Sequence, residues 1–188
     1  MTIERGRKLL VAGQHHETLK FLEEAIQQFP EDAEIRLLYA TILLEFQPDD
    51  VAVHALQAAE MSPDDPIILV RAGGLLLNRG EADSARFCLK RARELAGDNF
   101  ILMPGLLNRE GLLAMLDQNF ELAEQNLRAA VESEPTSEPF AIDLVRFLVV
   151  RGRHEEAVEV IDQTLTLVEN KDALRGIRRK LMADQLDD

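Results

Sequence analysis

The chain has 188 residues, of which 46% are hydrophobic, and a formal net charge of −13. That hydrophobic fraction is ordinary for a folded protein and argues against disorder. The acidic excess repels a phosphate backbone, so we expect no nucleic-acid binding, which requires a basic face. Cys88 is the single cysteine of the sequence, which excludes an intramolecular disulfide and a thiolate metal cluster.

The first residues and the apolar runs bear on the compartment in which the protein works. Charges at Glu4, Arg5, Arg7 and Lys8 interrupt the region where a signal peptide needs an unbroken apolar stretch. No apolar run approaches the roughly 20 residues that a helix needs to span a bilayer. We therefore expect a cytoplasmic protein that does not insert into a membrane.

A pattern of small and large residues recurs along the chain at a nearly constant spacing. The first series is small, with intervals of 34, 33, 38 and 34 residues: Thr18, Ala52, Ala85, Ala123 and Ala157. Four residues after each member stands a large aliphatic residue: Leu22, Leu56, Leu89, Leu127 and Ile161. Seven residues after each member the residue is small again: Ala25, Ala59, Ala92, Ala130 and Thr164. A period in the thirties predicts a stacked array of helical repeats.

Helical periodicity and turn residues mark successive pairs of helices. Residues 33–46 place apolar side chains on one broad face, and residues 51–61 follow the spacing i, i+3, i+4, i+7. Glycine stands five residues before the first small series, where a turn joins two helices, at Gly13, Gly80 and Gly152. Proline ends the second helices or opens the next ones at Pro30, Pro63, Pro135, Pro66, Pro104 and Pro139. No segment has the pattern of a strand and hairpin, so we predict no sheet.

This layout resembles the tetratricopeptide repeat (TPR) family, in which each unit of about 34 residues is a pair of helices, A and B. The small residue in the middle of helix A is matched by Gly6, Ala40, Gly73, Gly111 and, less well, Val145. The large residue three positions later is matched by Leu9, Leu43, Leu76 and Leu148, with Ala114 in the fourth unit. The glycine of the A–B turn is replaced by Gln47 and Gln118. The resemblance covers residues 1–170 and implies an all-α fold, a right-handed α-α superhelix (solenoid) of about five helix hairpins.

We predict one solenoid domain over residues 1–188, with units at residues 1–32, 33–65, 66–99, 100–137 and 138–170. Small side chains let helices A and B approach closely, and the large aliphatic residues fill the space beside them. Residues 171–186 form one more amphipathic helix, which we expect to cap the last repeat. The alternative is that its basic residues dock an acidic partner: Arg175, Arg178, Arg179 and Lys180.

In this family helix A lines the concave side of the array, so its outward residues are candidates for contact with a partner. By register these are Leu37, Thr41, Leu44, Val70, Gly74, Leu77, Asn108, Leu112, Met115, Ile142, Arg146 and Val149. Most are apolar, and an uncovered apolar strip marks an interaction surface. Such a groove suits an amphipathic helix or an extended hydrophobic segment. The alternative is that these residues pack against the chain's own helices.

Polar residues on these positions are few. Family members that hold a C-terminal carboxylate use lysine, asparagine and arginine there, whereas this sequence has Asn108, Arg109 and Arg146, scattered along two helices. The resemblance therefore does not imply a carboxylate clamp. We expect Asn108 and Arg146 to orient a partner whose apolar contacts are Leu44, Leu77, Leu112, Met115 and Val149.

A second candidate contact is the apolar run Phe100, Ile101, Leu102 and Met103, which accounts for the enlarged interval of 38 residues. Four consecutive apolar residues are a liability unless they are buried or functional. Either they lengthen a helix or fill the gap between repeats, or they form an exposed contact with a partner or a second copy.

The sequence carries no motif that indicates catalysis. Neither a His-Glu-x-x-His or paired-cysteine zinc motif nor a phosphate loop or nucleophile elbow occurs. We therefore predict no enzyme, no cofactor and no metal, but a non-catalytic adaptor or co-chaperone-like scaffold that binds another protein or peptide. Two alternatives stay open: a self-associating module that forms a homodimer through the apolar strip or residues 100–103, and a sensor of a small molecule or peptide.

Overall fold

The fold is described from a computed structural model for residues 2–97, 102–169 and 171–184. Within these ranges the regular structure consists of eleven α-helices and one short 3₁₀ turn, without strands. The predicted all-α fold is confirmed. None of the helices in the described ranges is long and apolar enough to cross a membrane.

The chain divides into two compact units, residues 1–102 and 103–188, and each is described by itself. Unit 1 holds α1 (Thr2–Val11), α2 (His15–Gln28), α3 (Ala33–Phe46), a 3₁₀ turn (Pro48–Asp50), α4 (Val51–Met61), α5 (Pro66–Asn78) and α6 (Ala82–Ala96). Unit 2 holds α7 (Met103–Leu116), α8 (Phe120–Ser133), α9 (Glu138–Val150), α10 (His154–Leu167) and α11 (Asp172–Asp184). The single continuous domain expected from the sequence stays a prediction.

Helix hairpins stack in the same manner inside each unit. In unit 1, α1, α3 and α5 contact one another in series, and α2 and α4 each contact the A helix before and after them. In unit 2, α7 contacts α9, α8 lies against both, and α11 packs on α10. Helices α1, α3, α5, α7 and α9 are therefore the A helices of the predicted hairpins, and α2, α4, α6, α8 and α10 are the B helices.

In the first, third and fourth hairpins a glycine of helix A meets a leucine of helix B. A Cβ atom on Gly73 would lie 2.9 Å from Leu89 Cδ2, and one on Gly111 would lie 2.8 Å from Leu127 Cγ. Both leucines are buried. At these positions a larger side chain would force the leucine to shift, so glycine allows the two helices to approach closely.

Helix α4 departs from the register of the other B helices. Ala52 and Leu56, its members of the first two repeat series, are only half-buried. The buried positions are Val51, Ala55 and Ala58 instead, together with Ala59 of the third series. A 3₁₀ turn precedes α4, where the first, third and fifth hairpins have a glycine turn, and this local difference accompanies the change in the buried positions of α4.

The turns of the other hairpins follow the sequence prediction. Gly13, Gly80 and Gly152 all have positive φ, between 69° and 75°. Gln118 occupies the same turn in the fourth hairpin with φ 58°, a conformation that costs an L-residue free energy. Gln47, the other replacement, has a negative φ of −140°.

Helix α11 ends unit 2 as the sequence predicted for a cap. Leu174 and Leu181 are buried in the core of unit 2, and Ile177 packs against it. The observed bounds, Asp172–Asp184, fall within the predicted range 171–186, of which residues 185 and 186 lie outside the described part. Arg178 turns back to Asp162 of α10, with nitrogen–oxygen distances of 2.6 and 3.1 Å.

We predict that Gly111→Ala lowers the free energy of unfolding by about 1–3 kcal/mol, because the new methyl group would lie against Leu127 and its backbone nitrogen. Gly176→Ala is the matched control, since a Cβ there meets no atom within 4 Å. Helix propensity should make that variant equal to the wild type or more stable by up to about 1 kcal/mol. Urea denaturation followed by circular dichroism measures both, and equal stability of the two variants would contradict the packing argument.

A second prediction concerns the strained turn. Gln118→Gly should raise the free energy of unfolding by about 0.5–1 kcal/mol, because glycine adopts positive φ without steric cost. Gln47→Gly, at the equivalent turn with negative φ, should bring no gain. Thermal denaturation of the two variants side by side tests this, and a gain at position 47 but not at 118 would refute it.

Candidate functional site

The first half of the candidate groove lies on α3 and α5, and we name it the α3–α5 face: Leu37, Thr41, Leu44, Val70, Gly74 and Leu77. Leu37, Val70, Gly74 and Leu77 are buried in unit 1. Thr41 and Leu44 are half-buried, and the Thr41 hydroxyl donates to the Leu37 carbonyl at 2.8 Å. Most of this face is therefore used by packing within the chain, as the alternative interpretation of the sequence expects.

An ion pair joins the three A helices of unit 1. Glu34 Oε2 accepts from Arg71 Nη1 at 2.6 Å and from Arg7 Nη2 at 3.2 Å. Glu34 lies on α3, Arg71 on α5 and Arg7 on α1. The carboxylate therefore bridges three elements, and both guanidinium groups make direct charge-assisted hydrogen bonds.

The second half of the candidate groove lies on α7 and α9, and we name it the α7–α9 face: Asn108, Leu112, Met115, Ile142, Arg146 and Val149. The four apolar members are half-buried, and they pack against the core of unit 2 with part of each side chain accessible. Arg146 is exposed, and Leu116 and Val150 are exposed at the ends of the same two helices. This face thus has four half-buried apolar residues, whereas Leu44 is the one half-buried apolar member of the α3–α5 face.

Three polar side chains lie around the carboxylate of Asp143 on the α7–α9 face. Asn108 is fully buried, and its amide nitrogen donates to Asp143 Oδ2 at 3.2 Å while its amide oxygen accepts from Arg109 Nη1 at 2.8 Å. Arg109 Nη1 stands 3.7 Å from Asp143 Oδ2, and Arg146 Nη1 stands 3.8 Å from Asp143 Oδ1. The polar residues that are scattered in the sequence therefore form one cluster.

The electrostatics of this cluster favour a further negative group. Burial lowers the pKa of the Arg109 guanidinium, an effect that Asp143 opposes, although arginine stays charged at neutral pH. Two guanidinium groups surround one carboxylate, so the cluster carries one net positive charge. The half-buried apolar residues beside it reduce the screening by water and strengthen any charge interaction made there.

The apolar run before α7 is only partly described. Phe100 and Ile101 lie outside the described residues, whereas Leu102 and Met103 are half-buried. Met103 is the first residue of α7, so this end of the run lengthens a helix, one of the two possibilities raised by the sequence. A contact between this run and a partner stays a prediction.

Metal-ligating side chains and the cysteine were the remaining candidates for chemistry in the described ranges. No three His, Cys, Asp or Glu side chains there are arranged to hold a metal ion. Cys88 is buried, and burial raises the pKa of its thiol, which keeps it in the unreactive neutral form. We interpret Cys88 as a packing residue of α6.

Sequence reasoning missed Asp143 as the centre of the polar cluster and Glu34 as the bridge of unit 1. Asp143 is the next residue after Ile142, one position away from the register of the candidate groove. The available signal was the register. Asn108 and Asp143 are 35 residues apart, close to the repeat period of the chain, so both lie at similar heights on successive A helices.

Comparison with known proteins agrees with this architecture. A sequence model of the family described as tetratricopeptide repeat matches residues 9–47 and 114–181, more than half of the chain. The chain therefore belongs to the tetratricopeptide repeat family, whose members are generally protein-interaction scaffolds. No curated protein matches the sequence.

Solved structures of similar fold belong to the same class. A thermophilic TPR protein from Thermus thermophilus has a TM-score of 0.79 and 20% identity, with 97% of each chain covered. A tetratricopeptide repeat protein from Parabacteroides merdae has a TM-score of 0.77 and 14% identity, with 98% of this chain and 71% of that chain covered. Yeast Tom70 has a TM-score of 0.64 and 19% identity, with 98% of this chain and 40% of that chain covered. At these identities the likeness establishes the fold.

Proposed function

We propose that the chain is a non-catalytic scaffold that binds an apolar or amphipathic segment of another protein along the α7–α9 face. The observation that carries the proposal is the accessibility of this face. Its apolar residues, Leu112, Met115, Ile142 and Val149, are only partly covered, whereas most of the α3–α5 face is buried. An accessible apolar surface with a polar centre is typical of a site that recognises a partner segment.

Rigid presentation of this surface supports the same function. The α7–α9 face lies on two helices that pack against the core of unit 2. These helices are already ordered before a partner binds, so binding costs this chain little conformational entropy. Preorganisation of this kind lowers the entropic cost of association. A helix with apolar residues at i, i+3, i+4 and i+7 is the form of partner segment that such a face accommodates. We place the scaffold and its partner in the cytoplasm.

The proposal predicts that Met115→Gln combined with Val149→Gln removes capture of the partner, because two apolar contacts become polar. The control combines Leu122→Gln with Leu167→Gln, on exposed positions of α8 and α10 in the same unit. Cross-linking followed by affinity capture and mass spectrometry should find proteins retained by the wild type and the control at comparable levels. We expect the Met115/Val149 variant to lose them by about tenfold or more.

Two outcomes would contradict the proposal. If both double variants retain the captured proteins at the level of the wild type, the binding surface does not lie on the α7–α9 face. Concentration-dependent dimerisation in sedimentation experiments, abolished by the Met115/Val149 variant alone, would instead assign this face to a second copy of the chain. Circular dichroism of each variant verifies that the fold is retained.

A further inference from the structure

The polar cluster of the α7–α9 face is incompletely satisfied by the chain's own residues. Direct hydrogen bonds between a guanidinium and a carboxylate have nitrogen–oxygen distances of about 2.7–2.9 Å. Arg109 and Arg146 stand 3.7 and 3.8 Å from the oxygens of Asp143, beyond that range. The direct hydrogen bond to Asp143 comes from Asn108, at 3.2 Å. Two guanidinium groups are therefore near one carboxylate but not bonded to it.

We propose that Asp143 acts as an internal competitor for the carboxylate of an acidic side chain on the partner segment, and so limits the affinity with which Arg109 and Arg146 bind it. This inference rests on the proposed function and specifies the chemistry of the partner. The segment is amphipathic, with one aspartate or glutamate among its apolar residues.

Charge complementarity supports this occupant. The cluster has one guanidinium in excess of its carboxylate, on a chain whose net charge is −13, so the positive charge is a local exception. The Arg146 side chain is 72% exposed, so an incoming carboxylate can reach it, and the Arg109 side chain beside it is 31% exposed. An acidic side chain flanked by apolar residues would match the cluster and the half-buried Leu112, Met115, Ile142 and Val149 that accompany it.

Asp143 competes with the carboxylate of the partner because it is held in place beside Arg109 and Arg146. Its side chain is 13% exposed and is held by the buried amide of Asn108, so its negative charge stays beside both arginines whether or not a partner is bound. A second carboxylate would meet repulsion from Asp143 as well as attraction from the guanidinium groups. Removal of the charge of Asp143 without a change in its shape should therefore tighten binding.

The probes for the experiment are two synthetic helical peptides labelled with fluorescein. Both carry leucines at i, i+3, i+4 and i+7, and they differ in one position on the edge of the apolar face, which is glutamate in one peptide and glutamine in the other. Fluorescence anisotropy measures their binding to the full chain. We expect the glutamate peptide to bind the wild type about fivefold more tightly than the glutamine peptide.

Variants separate the competitor role from a structural one. Asp143→Asn should tighten binding of the glutamate peptide by about fivefold and leave the glutamine peptide unchanged. Arg146→Gln, at an exposed position that the fold does not need, should abolish the preference for glutamate. Glu159→Gln and Arg179→Gln are the matched controls, because they remove one charge of each sign from exposed positions of α10 and α11.

Each result distinguishes this inference from the proposed function. Equal binding of both peptides to the wild type would refute acid selection and leave the proposed function standing. Weaker binding of both peptides to the Asp143→Asn variant, with a lower melting temperature, would make Asp143 a purely structural residue and overturn the inference. Absence of binding by either peptide would refute both.

Discussion

The contact between a glycine of helix A and a leucine of helix B is the constraint on which the rest of each unit depends. A Cβ atom at any of three such glycines would meet the partner leucine within about 3 Å, in the pairs Gly6–Leu22, Gly73–Leu89 and Gly111–Leu127. In these three hairpins one side of the A helix therefore packs against its B helix. The neighbouring A helix takes a second side, so the core determines which narrow stripe is left for a partner.

What remains of that stripe differs between the two units for reasons of packing. On the α3–α5 face most of the stripe is covered, since Leu37 and Val70 are buried within unit 1. On the α7–α9 face the equivalent register positions, Asn108 and Ile142, bring a buried amide and a half-buried side chain. A buried amide needs a hydrogen-bonding partner, and Asp143 provides it. The polar cluster is thus a consequence of placing Asn108 in the core, and its arginines are held at the edge of an apolar surface.

The sequence was sufficient to predict features that repeat, and insufficient for those that depend on a single contact. The repeat period shows that Gly13, Gly80 and Gly152 occupy the same position in their turns, and glycine at that position predicts the positive φ that the structure has. The different buried positions of α4 do not follow from the period, because a 3₁₀ turn precedes this helix in place of a repeated glycine turn. The cluster at Asp143 also escaped prediction, since periodicity assigns a residue to a face only within about one position. The spacing of three residues does bring Arg146 near Asp143 on one helix, but it does not show that Asn108 and Arg109 of α7 meet the same carboxylate.

Each unit contains a carboxylate that stands near two arginines, and the distances differ between the two arrangements. Glu34 accepts hydrogen bonds of 2.6 and 3.2 Å from Arg71 and Arg7. Asp143 accepts a hydrogen bond from Asn108, and its distances to Arg109 and Arg146 are 3.7 and 3.8 Å. In unit 1 both guanidinium groups are therefore bonded to the carboxylate within the fold. In unit 2 they lie beside the carboxylate without a direct bond, on a face that also has half-buried apolar residues, and a segment from another protein can use that combination.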